Sequence, residues 1–121
     1  MRARLTLASL AVAVLGIAFA GPAAGAKTTK CSLGSQGRKL GPTYVTSLTV
    51  SGGATCSTGI KVVKAYYKCR VKAGGVKGRC ASKVDGFSCT EKRTSIPIQF
   101  DATVTCSKGK ERVVHQYEQN T

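Results

Sequence analysis

The chain has 121 residues, with 19 Lys and Arg against 5 Asp and Glu, a single His and six Cys. One histidine and a few scattered carboxylates exclude the clustered titratable groups that acid–base or nucleophilic catalysis requires. Six cysteines without a C-x-x-C pair exclude the usual zinc frameworks, so no enzyme activity, metal or cofactor is expected, and the cationic excess directs attention to anionic partners.

In chain order, MRARLTLASLAVAVLGIAFAGPAAGA reads as a signal peptide over 1–26, with Arg2 and Arg4 ahead of an apolar run and a small-residue end. The run from Leu5 to Ala20 is shorter than the roughly 20 apolar residues of a membrane span. Lys27 rather than cysteine follows Ala26, so a lipid anchor is not expected. Removing Arg2 and Arg4 with this segment leaves 17 cations against the 5 carboxylates, a charge of +12. The exported remainder has the size of one domain, and six cysteines in an oxidising compartment predict three disulfides.

Residues 27–42, rich in Lys, Thr, Ser and Gly, read as an N-terminal arm tethered by Cys31, ahead of a single disulfide-stabilised domain over 43–121. YVTSLTV, from Tyr44 to Val50, alternates and is β-branched, which suits a strand. CSTGIKVVKAYYKCR, from Cys56, reads as a helix. At about 100° per residue, Cys56, Ile60, Val63 and Tyr67 share a sector that should face the core. Lys61, Lys64, Lys68 and Lys72 form a second sector, and Val62, Tyr66 and Cys69 a smaller third one behind. Ser57 or Thr58 would cap the helix and Gly74-Gly75 would stop it.

After the glycine-rich loop AGGVKGRCASK, VDGFSC and FDATVTC read as strands with inward-facing cysteines. Between them, TEKRTSIPI carries Pro97, which demotes its own position to an edge or loop. The SKGK turn at Gly109 makes a hairpin of Phe100 to Glu118. The expected fold is α+β: one helix packed on a small, mostly antiparallel sheet of about four strands, stapled by disulfides. Cys69 lies off the core sector and eleven residues before Cys80, so these two should pair, adding about 2 to 3 kcal/mol. Cys56, on the core sector, should meet Cys89 or Cys106, with Cys31 taking the other.

GATCSTGIKVVKAYYKC, GFSC, FDATVTCSKG and RVVH together resemble small exported cysteine-containing proteins of high-GC actinobacteria. Those proteins share a cysteine at a helix start, a Gly-aromatic-x-Cys strand and a Cys-x-x-Gly turn. The resemblance covers most of the exported part; it implies a compartment and a fold and carries over no functional residue.

His115 alternates with Val113 and Tyr117 and reads as a strand residue rather than a general base. Asp85, Glu91, Asp101, Glu111 and Glu118 are scattered and receive no catalytic role. The cations gather instead: Lys61, Lys64, Lys68, Arg70, Lys72, Lys77, Arg79 and Lys83 follow one another with no acidic residue between them. The helix also lacks the i,i+4 glutamates that balance a solvated face. Lys61, Lys64, Lys68, Lys72, Arg79 and Lys83 are therefore the expected anion-binding residues of a secreted, monomeric binding module. Its partner would be a cell-wall polymer, phospholipid head groups or nucleic acid. The alternative is a secreted protease inhibitor or toxin-like effector that presents a disulfide-stapled loop, at 74–83 or 91–98.

Overall fold

In the computed structural model, which describes residues 27–121, the alternating segments build one antiparallel sheet of five strands in the spatial order β1-β2-β5-β4-β3. The elements are β1 (Thr29–Lys30), β2 (Tyr44–Ser51), α1 (Cys56–Gly74), β3 (Ser88–Ile96), β4 (Gln99–Lys108) and β5 (Glu111–Asn120), with 3-10 turns at Gly34–Arg38 and Gly75–Lys77. The signal-peptide expectation for 1–26 lies outside the described residues. The α+β class holds, with five strands rather than four. The additional one, β1, has two residues, too few to carry a period; it pairs with Thr49 and Val50 of β2 beside the tethered Cys31.

The segment expected as a loop over 91–98 is instead a strand as far as Ile96. β3 runs nine residues in register with β4, and Pro97 is confined to the turn after Ile96. The inward positions of β3 carry Glu91 and Arg93, so hydrophobic alternation disappears although the pleat persists. The side chains of Glu91 and Arg93 are 4% and 9% exposed and paired with each other, which satisfies charges that would otherwise be costly to bury.

α1 lies across one face of the sheet. Thr55, two residues before Ser57 and three before Thr58, the expected caps, accepts a hydrogen bond from the Thr58 N–H at 3.1 Å. Gly75, at φ 71°, ends the helix in a conformation that favours glycine. The buried positions of α1 are Gly59, Val62, Val63, Tyr66 and Arg70. The core sector is thus turned by roughly 70° from the expected Cys56, Ile60, Val63 and Tyr67. Gly59 explains the turn: a Cβ there would sit 2.9 Å from Cγ1 of Val50 and 3.3 Å from Leu48, so its missing side chain lets the helix settle on β2. Tyr67 moves to the flank, against Gly41, whose φ of 121° and lack of a Cβ leave room for the ring.

The core joins Val62, Val63 and Tyr66 of the helix to Val45, Leu48 and Val50 of β2 and to Val104, Val113 and Tyr117 of β4 and β5. Each fully buried aliphatic side chain of this kind contributes about 1.5 to 3 kcal/mol. Three disulfides complete the fold: Cys31–Cys56, Cys69–Cys80 and Cys89–Cys106. The Cys69–Cys80 pairing matches expectation. Cys56 does not meet Cys89 or Cys106: with Gly59 seated on β2, Cys56 is half-buried at the margin of the core and meets the buried Cys31 of the arm. Cys89 and Cys106 are instead direct partners across β3 and β4, with Cα atoms 4.0 Å apart.

Candidate anion-binding surface

The helix divides its cations between two sides. Lys61, Lys64, Lys68 and Lys72 are all exposed and lie about half a turn from the centre of the buried stripe, facing away from the sheet along roughly 16 Å of helix. Among the described residues the ion pairs all end on Glu91, from Arg79 and Arg93. The four lysines therefore stand without carboxylate partners.

The loop after α1 extends this surface. The Cys69–Cys80 bridge folds it back, so that Lys72 and Lys83 line one open depression of about 500 Å³ with Cys69, Ala73, Ala81 and Ser82. Arg79 is exposed but turned toward β3, with NH1 3.4 Å from the Glu91 carboxylate. An exposed ion pair of this length is weak, yet it places Arg79 at the margin of the patch. Five of the six expected residues thus present unpaired cations, and the sixth is shared with a carboxylate.

Arg70 belongs to the same run of cations and has the opposite fate. It is completely buried; NH1 donates to the Val76 carbonyl at 2.5 Å and NH2 to Oε1 of Gln119 at 2.7 Å. Its guanidinium lies 4.6 Å from the ring centre of Tyr117 and 5.0 Å from that of Tyr67, the geometry of cation–π contact. Burial lowers its pKa, and the neighbouring Tyr117 and Glu91 oppose that shift.

Next to it, Glu91 accepts from the Tyr117 hydroxyl and from Nε of Arg93. Arg93 also donates to the carbonyls of Lys77 at 2.8 Å and Gly78 at 2.5 Å. Burial, followed by the influence of Glu91, pushes the hydroxyls of both Tyr66 and Tyr117 above the ordinary tyrosine range. The carboxylate is thus spent on holding the loop and β5 together beneath the helix. This cluster escapes sequence reasoning because Glu91 and Arg93 resemble loop residues. A signal for Arg70 did exist, since it continues the i, i+3, i+4, i+7 spacing from Gly59 through Val63 and Tyr66.

His115 is buried beneath α1, edge-on to Tyr66 and stacked on Tyr117. Burial, and then the charge of Arg70, drives its pKa down to about 3. It is a neutral core residue, and its Nδ1 has no protein hydrogen-bond partner.

Among the described residues no group of three or more His, Cys, Asp or Glu is arranged to hold a metal, and no helix is long and apolar enough to cross a membrane. No known protein family, curated protein or solved structure matches the chain.

Proposed function

We propose that the protein is an exported, monomeric, non-enzymatic module that binds an anionic polymer or surface of the cell envelope or its surroundings. The contacts come from Lys61, Lys64, Lys68 and Lys72, with Lys83 continuing the patch and Arg79 at its margin. One observation carries the reading: a row of exposed lysines on the solvent side of α1 has no carboxylate to neutralise it. Like charges one helical turn apart repel by a few tenths of a kcal/mol per pair, and a polyanion relieves that repulsion. Kinship with the small exported proteins of high-GC actinobacteria is part of the same proposal. The disulfides support an oxidising compartment.

The test is binding to polyphosphate across a salt series. With four phosphate contacts, affinity should fall on the order of a hundredfold between 50 and 200 mM salt through counterion release. Lys64→Glu/Lys68→Glu should weaken binding about tenfold or more by the same mechanism. Retained affinity in that variant would reduce the row to a solvated face. The second reading, a protease inhibitor or effector that presents the loop stapled by Cys69–Cys80, predicts activity that resists salt and depends on a single loop residue.

A further inference from the structure

Among the described residues three large apolar side chains are exposed: Val76 at 41%, Ile96 at 58% and Ile98 at 71%. All three lie at one end of the molecule. Ile96 closes β3 and pairs with Gln99 at the start of β4, so Pro97 and Ile98 form the two-residue turn between the strands. Val76 reaches this end because Arg70 holds its carbonyl and Arg93, three residues before Ile96, holds the carbonyl of Lys77. Lys77, Arg93, Ile96 and Pro97 line one depression of about 170 Å³ with Thr121, and no Asp or Glu side chain lines it. On the opposite flank, Asp101 is engaged by Nε2 of Gln99 at 2.9 Å. The turn is fixed in place: the Thr121 N–H donates to the Ile98 carbonyl at 3.0 Å, and Pro97 restricts its own φ.

We infer that this turn is a membrane-insertion tip: Ile96, Pro97 and Ile98 enter the interfacial layer of an anionic lipid bilayer while Lys77 remains among the head groups. Single exposed apolar residues are ordinary, but two isoleucines on either side of a proline at a rigid turn form a wedge. A wedge of this size offers far less than the roughly 800 Å² per partner of a stable protein interface, whereas a fluid bilayer accepts a small convex apolar tip. A small anchor needs a second signal to hold on a membrane, and the protein supplies one in its large positive charge, complementary to anionic lipid. The electrostatic half of this inference rests on the anion-binding reading above; the apolar half does not.

The experiment uses the chain with its disulfides intact, vesicles of phosphatidylcholine with and without phosphatidylglycerol, and polyphosphate as a soluble polyanion. The protein contains no tryptophan, so Ile98→Trp reports from the tip alone. Its emission should shift to the blue and be quenched by brominated acyl chains on anionic vesicles, and should not change with polyphosphate. Ile96→Ser/Ile98→Ser should lower vesicle partitioning about tenfold while leaving polyphosphate affinity within about twofold, since no charge is altered. Vesicle binding that persists in the serine variant, or a tryptophan that stays in water on bound vesicles, overturns the tip and leaves the lysine face standing. Vesicle insertion without polyphosphate binding sustains the tip and removes the lysine face.

Discussion

Arg70 and Lys68 are two residues apart on one helix, carry the same charge and have nothing else in common. Lys68 stands in water on the solvent side of α1. Arg70 is sealed beneath the helix, its guanidinium bonded to a carbonyl and an amide and set against aromatic rings. A cation on the outer side is free to act on a partner, because the fold makes no demand on it. A cation on the inner side has become part of the core, and its planar fork, which lysine lacks, makes burial tolerable. The positive charge of the chain is therefore not one property: part of it is architecture, and the remainder is available for binding.

Breaking the inner side should have the largest effect. Arg70→Ala leaves a cavity and strands the acceptors on Val76 and Gln119, and should cost about 4 kcal/mol in urea unfolding. Arg70→Met, which keeps the volume but not the donors, should cost about half of that. An unchanged midpoint in both variants would mean that the two sides of the helix do not differ in kind.

Removing the staple between the sides, by Cys69→Ser/Cys80→Ser, should cost about 2 to 3 kcal/mol in the chain-entropy picture. It should also weaken polyphosphate binding modestly, since Lys83 is no longer held beside Lys72.

His115 sharpens the comparison through pH. Its pKa in the folded protein, about 3, lies below the ordinary value of 6.5, so between these values the unfolded chain takes up a proton that the native core refuses. Stability conferred by the neutral imidazole is complete above pH 6.5 and declines as the pH falls toward 3, by on the order of 1 kcal/mol per unit. Urea midpoints at pH 6 and pH 5 should differ accordingly, and His115→Phe should flatten that dependence.

The smallest effect belongs to the outer side. Lys64→Glu/Lys68→Glu should change stability by less than about 0.5 kcal/mol, because each new carboxylate gains a lysine neighbour at Lys61 or Lys72. Its binding should nevertheless fall, and a thermal melt alongside the polyphosphate titration separates the two.

Much of the fold was legible where local chemistry decides it. The glycine pair ending α1, the strand at Tyr44, the β4–β5 hairpin turn at Gly109 and the pairing of Cys69 with Cys80 all follow from residues close in sequence. Apart from β1, too short to show a period, the main failures share one physical cause, which is that tertiary contact overrode local pattern. Gly59 against Val50 rotated the helix, and with it the partner of Cys56. The pairing of Glu91 with Arg93 turned an apparent loop into the inner face of a strand. On the candidate surface, exposure of the helix lysines was legible from their spacing. The carboxylate beside Arg79 was not, since Glu91 is twelve residues further along the chain.

The order of strands also bears on how the chain acquires its shape. β2 and β5 are neighbours in the sheet, yet α1, β3 and β4 are synthesised between them. β3 and β4 can form a hairpin as soon as both exist, whereas β2 waits with one edge open until the last strand arrives. Because β5 bonds to β2 on one side and to β4 on the other, its arrival joins the early and late parts of the chain in one event. Before that event the cysteines are near one another only locally; Cys89 and Cys106 can find each other within the hairpin. After it, Leu48 and His115 lie side by side beneath α1, and a polypeptide cut short before Glu111 has no means of replacing the strand that closes the sheet.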